Sequence, residues 1–328
     1  MELGTVSELV NTRSVIKHIR KHNKDMVQGA GIGCDYSLAN FVAASEGVAT
    51  TPYIAWVKAL NNLAVSQSQI SGVRIVMLLP ESVTEENIKL YMKEFNELAD
   101  EADIQILGGH TQIGKAYNYA SFVVTAYGIS DKKSIKKVSE GDKIVMLGLA
   151  GIMGTDIIAR KKTEELSSRF AKSYIERAYF DKSEYNIKDK ADKLLEVFGE
   201  DVLYMHDVSQ GGIYGALWQL GVRIKHGINI KHAKIPIRQE TVEICNYFDI
   251  NPYLLDGTGA LLAVIRDDGS DGNDLEKRLS ESGIVAGVIG TVTGDNNKSV
   301  ILGAQDAPET RFLTPVKGDE VYKIIDMI

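Results

Sequence analysis

The chain has 328 residues, and its 37 Lys or Arg against 44 Asp or Glu leave a formal charge of −7. A hydrophobic share of 44% with 25% charged residues is that of a globular protein rather than a disordered one, and the length suggests two domains. Net acidity argues against a nucleic-acid partner, apolar runs such as Val73–Leu79 stop well short of the roughly 20 residues a membrane span needs, and the opening Met1-Glu2-Leu3-Gly4 has no basic stretch followed by an apolar core, so the expectation is a cytoplasmic protein.

In chain order, residues 6–23 carry Val6, Leu9, Val10, Val15, Ile16 and Ile19 near helical spacing, which predicts an amphipathic helix. Its basic residues, Arg13, Lys17 and His18 among them, face solvent or meet a ligand phosphate. A glycine-rich loop, Gly29–Asp35, leads to a strand around Asn40–Ala44. Residues 52–69 suit a helix with Pro52 in its first turn. Gly72–Leu79 reads as a strand and Thr84–Ala102 as a helix, with Thr84 as N-cap and Glu85 and Glu86 favourable to the dipole. A short strand, Ile104–Leu107, runs into the loop Gly108-Gly109-His110-Thr111, and Tyr119–Gly128 is the next strand.

The polar stretch 130–142 marks a domain boundary. Beyond it come strand Lys143–Leu147, loop Gly148–Thr155, a long helix to about Ala178, helix Lys188–Phe198, strand Val202–Met205 and loop His206–Gly212. Helix Ile213–Leu220, a strand near Ile228–Ile230, helix Arg238–Phe248, strand Ala260–Ile265, helix Leu275–Ser282 and strands Gly287–Val292 and Ser299–Leu302 complete the pattern. Alternating strands and helices in both halves predict α/β layers. Cys34 and Cys245 belong to no Cys-x-x-Cys pair and read as reduced thiols.

Four loops share one design: an apolar strand ends, glycines follow, and polar residues precede the next element. Backbone N–H groups in such loops approach anions closely, and a helix N-terminus adds partial positive charge. Gly148–Thr155 is neither a Walker A loop nor a Gly-x-Gly-x-x-Gly fingerprint. It offers Gly151, Gly154 and Thr155 to a phosphate, or forms a tight strand–helix turn. In Gly108-Gly109-His110-Thr111, His110 can act as acid or base near neutral pH, or hold a structural hydrogen bond. In His206-Asp207-Val208-Ser209-Gln210-Gly211-Gly212, His and Asp at a strand end before a glycine pair suit ligand contact better than packing. Asp35 is a candidate magnesium ligand, and Glu46, past the next strand, can reach the same ion; solvated carboxylates are the alternative. No Gly-x-Ser-x-Gly, His-Glu-x-x-His or kinase-type His-Arg-Asp motif occurs. Trp56, Trp218, Tyr214 and Phe248 read as packing residues.

Taken in order, Gly108–Thr111, Gly151-Ile152-Met153-Gly154-Thr155-Asp156-Ile157-Ile158-Ala159, Met205–Gly212, Ile235-Pro236-Ile237, Glu243-Ile244-Cys245, Pro252–Leu255 and Gly259–Leu262 resemble the superfamily of aminoimidazole ribonucleotide (AIR) synthetase, thiamine-monophosphate kinase, selenophosphate synthetase and the hydrogenase-maturation protein HypE. The likeness leans to HypE-like and AIR synthase-related members and covers roughly residues 27–305. It implies a PurM-like α/β fold with an N-terminal arm over 1–26, an ATP-binding domain over 27–135 whose sheets pair in a barrel across a homodimer, and a C-terminal α/β domain over 136–328. It also implies ATP and Mg2+ as cofactors and phosphoryl transfer to an oxygen of a small molecule, catalysed by positioning and charge neutralisation. Carried onto this chain, Gly108, Gly109, Thr111, Gly151, Gly154, Thr155, Gly211 and Gly212 would contact nucleotide or substrate. Asp35, Glu46 and Asn62 would hold the metal, and His110, His206 and Asp207 would orient the transferring group.

Two departures stand out. The family's first acidic pair is Cys34-Asp35 here, its next Asp is Glu46, and Asn61-Asn62, or nearby Ser66-Gln67, stands where an acid usually appears, so a weakened or rebuilt metal–nucleotide site is expected. The sequence Ile325-Asp326-Met327-Ile328 lacks the terminal cysteine on which HypE carries a carbamoyl group, so that reaction on the chain's own terminus is not expected. The leading expectation is an ATP-dependent phosphotransferase, for instance a kinase of a nucleoside-like vitamin precursor resembling the α-ribazole kinases. The alternatives are a maturation factor or non-catalytic ATP-binding partner in metallocentre assembly, and a purine-biosynthesis cyclo-ligase.

Overall fold

The computed structural model describes residues 4–19, 25–132, 134–267, 269, 272–281, 283, 285–294, 300–303 and 311–326. They form two compact units. The larger comprises the described residues of 1–21, 30–34 and 135–326; the smaller comprises those of 22–29 and 35–134.

The chain opens, in the larger unit, with α1 (Glu8–Ser14) and a 3-10 turn at Ile16–His18 in place of one helix over 6–23. Asn11, Thr12, Ser14, Val15 and Ile16 are all indifferent helix formers, and a seven-residue helix does not propagate through them. Residues 20–24 of the predicted helix lie outside the described ones.

The smaller unit is a six-stranded sheet, order β1-β2-β3-β6-β4-β5, covered on one face by two helices. Its strands are β1 (Met26–Gln28), β2 (Ser37–Ala39), β3 (Val42–Ala49), β4 (Gln69–Leu79), β5 (Ile106–Ile113) and β6 (Ser121–Ile129); its helices are α2 (Pro52–Ala64) and α3 (Glu85–Ala102). β4 and β5 are parallel and the other pairs antiparallel. β2 and β3 form a hairpin whose turn residues, Asn40 and Phe41, both have positive φ, the geometry that matches strand twist. The predicted strand at 40–44 therefore begins two residues later and runs to Ala49.

Small residues on β3 let α2 lie close. Ala43, Ser45, Gly47 and Ala49 are buried, and the Ser45 hydroxyl donates to the Ala59 carbonyl at 2.8 Å. A side chain at Gly47 would collide with the backbone of Ala55 and Ala59. Helix α3 begins as expected at Thr84, whose hydroxyl accepts from the Asn87 N–H while the Asn87 side chain returns to the Thr84 N–H, a full capping box. Phe122 is fully buried between sheet and α3, edge-on to Tyr91 and Phe95. The opposite sheet face leaves Val42, Val48 and Ile129 exposed.

One expectation fails here. Gly108-Gly109-His110-Thr111 is not a loop but the middle of β5, in parallel register with Arg74–Met77. Gly109 stands so close to the Ile75 carbonyl that a Cβ would overlap it. The glycines serve strand pairing, a reason invisible to local pattern.

The larger unit is built on a seven-stranded sheet, order β13-β12-β9-β11-β7-β10-β8. The strands are β7 (Lys143–Leu147), β8 (Val202–Val208), β9 (Gly227–Ile230), β10 (Ala260–Ile265), β11 (Ala286–Thr293), β12 (Val300–Leu302) and β13 (Arg311–Phe312). All pairs are antiparallel except β12 with β9. Ser299, the predicted start of β12, lies outside the described residues.

The long helix expected up to Ala178 is three pieces, α4 (Ile152–Lys161), α5 (Thr163–Leu166) and α6 (Lys172–Glu176). Thr163 breaks the first junction by donating its hydroxyl to the Ala159 carbonyl at 2.7 Å, a bond that competes with the helix ladder. The remaining helices are α7 (Lys188–Phe198), α8 (Gly212–Ile224), α9 (Gln239–Tyr247) and α10 (Gly272–Glu281). The core joins α8 to the sheet through Ile213, Leu217, Leu220, Leu262, Val264 and Ile289, all fully buried. Among the described residues no helix is long and apolar enough to cross a membrane.

Candidate functional site

In the smaller unit the three candidate metal residues sit on separate elements, Asp35 before β2, Glu46 on β3 and Asn62 on α2. β2 and β3 pair with Ser37 opposite Ala44 and Leu38 opposite Ala43. The ladder ends at Ser37, and Asp35 lies in the bend that precedes it. From α2, the Asn62 side-chain nitrogen donates to the Glu46 carbonyl at 3.0 Å. A backbone carbonyl only accepts, so the Asn62 amide is oriented and its oxygen is turned to other partners. Glu46 projects from the exposed side of β3 and Asp35 is half-buried. Because α2 covers the other face of β3, the Glu46 carboxylate and the Asn62 residue that supports its backbone lie on opposite sides of the strand. Two carboxylates and an amide are donor types that Mg2+ takes in small number, completing its octahedron with water and ligand phosphates. Among the described residues there is no cluster of three or more His, Cys, Asp or Glu able to cage a metal alone. His110 lies elsewhere in this unit, exposed on β5 and paired in register with Val76; Gly108, Gly109 and Thr111 flank it on that strand.

In the larger unit the two glycine-bearing turns are packed into the fold. Gly151 caps α4 in the left-handed region, and Gly154 and Thr155 are helical rather than loop residues. The Thr155 hydroxyl is fully buried, donates to the Gly151 carbonyl at 2.6 Å and lies 3.1 Å from the Thr241 hydroxyl. The Gly154 N–H donates to the Asp256 carbonyl. These groups fasten α4 to α9 and to the turn at 251–259.

His206 and Asp207 are not in a loop either. They end β8, opposite Leu262 and Leu261, and are 1% and 3% exposed. The glycine pair does form the turn into α8, with φ of 85° and 61°, and a Cβ on Gly212 would meet the Tyr253 and Leu255 carbonyls at 2.6 and 2.7 Å. Its amides are already engaged: the Gly211 N–H donates to an Asp319 carboxylate oxygen at 2.7 Å and the Gly212 N–H to the Ser209 carbonyl.

Asp319 is a residue the sequence reading missed. It is 7% exposed and accepts from Gly211, from the Asp256 N–H at 3.3 Å and from the Val321 N–H at 2.9 Å. Nearby, the Gln210 amide clasps both terminal segments: its oxygen accepts from the Thr5 N–H and hydroxyl, and its nitrogen donates to the Tyr322 hydroxyl. The only local signal was Gly318-Asp319 after Pro315, an ordinary turn signature.

Helix α1 adds a second unforeseen element. The Gln219 amide nitrogen donates to a Glu8 carboxylate oxygen at 2.6 Å, and its oxygen faces His206 Nε2 at 3.0 Å. Gln219 therefore makes Nε2 the protonated nitrogen of His206. Burial pushes the Glu8 carboxyl up, with the Gln219 hydrogen bond and the nearby His206 opposing it. A raised folded-state value means the fold binds this proton more tightly than the unfolded chain does. Its contribution is complete below the ordinary Glu range and is lost as pH climbs through the raised value. Glu8→Gln should therefore gain stability relative to the parent as pH rises above the ordinary Glu range, read as a difference in thermal midpoint that widens with pH. A difference that does not vary with pH would refute this.

Both cysteines are free thiols. Burial, with Glu320 and Asp319 adding to it, pushes the Cys245 thiol up to about 12, which leaves it protonated and unreactive at neutral pH.

Comparison with known proteins follows the same lines. The model of the AIR synthase related protein, C-terminal domain, matches residues 139–303. A putative hydrogenase expression/formation protein of Methanocaldococcus jannaschii is 27% identical over 221 residues, which are 65% of this chain and 61% of that protein; the match thus spans about three fifths of that relative. A crystal structure of a HypE–HypF complex superposes with a TM-score of 0.70 at 20% identity, covering 86% of this chain and 93% of that one. HypE in complex with ATP superposes with a TM-score of 0.69 at 16% identity, covering 97% and 96%. At those identities the structural likeness establishes the fold.

Proposed function

This chain belongs to the AIR synthase-related family, and we propose from that premise that it is an ATP-using maturation factor of the HypE kind, acting by phosphoryl transfer to an oxygen of a small acceptor. The observation that carries the reading is the match of residues 139–303 to the AIR synthase related model, with Asp35, Glu46 and Asn62 of the smaller unit as the proposed metal ligands. A divalent cation held there would neutralise the phosphate charge that builds during transfer. The chain's own residues hold the donor atoms in place: α2 fixes Asn62, Asn62 fixes the Glu46 backbone, and Gly47 lets α2 approach closely enough to do so. In the larger unit, Gln219 fixes the His206 ring and Asp319 fixes the turn at Gly211.

The hydrogenase-formation relative and the HypE structures support a maturation role over the kinase reading. The HypE–HypF complex makes a protein partner in metallocentre assembly the natural one to test. The apolar side chains exposed on the open sheet face, Val42, Val48 and Ile129, support pairing with a second copy, and Glu46 stands among them on the same face.

The test is calorimetry and phosphate release with Mg-ATP, run alone, with carbamoyl compounds and with nucleoside-like vitamin precursors. Binding of Mg-ATP and turnover stimulated by a carbamoyl compound is the expected result. Stimulation by a vitamin precursor alone would restore the small-molecule kinase. Absence of Mg-ATP binding at millimolar concentration would overturn phosphoryl transfer altogether.

A further inference from the structure

The larger unit contains a cavity of about 660 Å³ whose lining includes Asp319 and Tyr322. Its walls are Tyr214 on α8, Leu254, and residues 312–320, 322 and 323. The volume falls within the roughly 300–1,000 Å³ of small-molecule sites.

Its aromatic wall is held rigidly. The Tyr214 ring stacks on Tyr253 at 5.2 Å with 12° between planes, and its hydroxyl lies 2.9 Å from His232 Nε2. Burial pushes the Tyr214 phenol up to about 12 and holds His232 below its usual range, so both are neutral at pH 7 and the phenol donates to the imidazole. A ring fixed by packing and by a hydrogen bond loses little freedom when a flat ligand meets it. Phe312, 65% exposed, and Tyr322 add further aromatic surface.

The polar groups decide the sign of the ligand. The acids of the lining are engaged inside the fold: Asp319 by three backbone N–H groups, and Glu320 by Lys323 at 2.6 Å. Two nearby cations are not. Lys317 is exposed on the lining, Arg311 is exposed in the adjoining strand and acts electrostatically on Tyr214 and His232, and neither has an ion-pair partner among the described residues. What the cavity presents to solvent is an aromatic wall beside unpaired positive charge.

We infer that this cavity binds a planar aromatic molecule bearing a carboxylate or phosphate, stacked near Tyr214 with its anion on Lys317. The same segment reaches the turn at Gly211, through Asp319 and through Val316 packed on that glycine. The inference thus supplies an acceptor class for the proposed function, and it rests on that reading only for the acceptor role.

The experiment titrates the full chain with phenyl phosphate, benzoate, benzamide and inorganic phosphate by calorimetry, with Mg-ATP in parallel. One or both aromatic anions should bind at least tenfold tighter than neutral benzamide and than phosphate; which of the two is tighter identifies the acid. Lys317→Glu should weaken that binding about tenfold, the loss expected for one charged contact, and Tyr214→Leu should weaken it further. Lys317 is a surface residue, so its variant remains decisive should Tyr214→Leu fail to fold. Benzamide binding as tightly as benzoate, or binding unmoved by Lys317→Glu, would overturn the assignment. Mg-ATP binding without probe binding would remove the cavity alone, whereas probe binding without Mg-ATP binding would keep the cavity and remove phosphoryl transfer.

Discussion

Asp35→Ala should lower Mg-ATP turnover by about 100-fold or more while the circular dichroism spectrum and thermal midpoint stay near those of the parent. Asp35 is half-buried and Glu46 is exposed, so removing either carboxylate opens no core cavity. What is lost is charge set against the transferring phosphate, and single groups of that kind are worth roughly 10²–10³ in rate. Glu46→Gln should act in the same direction, because it removes the second carboxylate proposed for the metal. Asn62→Ala should cost less, about 10- to 100-fold, through loss of an amide oxygen and loosening of the Glu46 backbone it supports. Phosphate release at saturating Mg-ATP is the measurement. Turnover within threefold of the parent in both carboxylate variants would remove the metal role from this hairpin.

The second large effect concerns stability. Asp319→Ala should destabilise the larger unit by about 3 kcal/mol or more, because it strands three buried backbone N–H groups at roughly 1–3 kcal/mol each. For a unit of this size that is a fall of roughly 6–12 °C in Tm. The donors belong to Gly211, Asp256 and Val321, so one carboxylate ties the α8 turn, the 251–259 turn and the C-terminal segment together. Asp319→Asn keeps one acceptor oxygen and should lose about half as much. Differential scanning calorimetry of the three proteins decides this, and a shift under 2 °C for the alanine variant would mean that the N–H groups find other partners.

Much of the architecture was readable from local pattern. Thr84 with its acidic first turn, Pro52 at a helix start, and compact apolar runs such as Lys143–Leu147 and Ala260–Ile265 name their elements by chemistry that acts within a few residues. Where the reading failed, a distant partner had decided. Gly108–Thr111 has every mark of a loop, yet Ile75 on a neighbouring strand makes it the centre of β5. The helix expected up to Ala178 broke where a Thr163 hydroxyl turned back on its own turn, a competition that hydrophobic periodicity does not register.

The site divides in the same way. Asp35, Glu46 and Asn62 could be named as candidate ligands because carboxylates and amides carry their chemistry wherever the chain goes, and the metal role proposed for them is what the Asp35 variant tests. Gly151, Gly154, Thr155 and His206 could be named as a pattern but not in their setting, since burial and hydrogen bonding to Thr241, Asp256 and Gln219 arise only on folding. Asp319 and Glu8 could not be named at all: they meet Gly211 and Gln219 across 108 and 211 residues, and no window along the chain contains both partners.

The sequence by itself determined the order of strands and helices, the family, and the residue types available for chemistry, because those depend on side-chain identity and short-range sterics. Only the tertiary structure decided which glycines make turns and which make strand contacts, which polar groups are spent inside the fold and which stand free at a cavity rim, because those depend on backbone segments brought together by the burial of apolar surface.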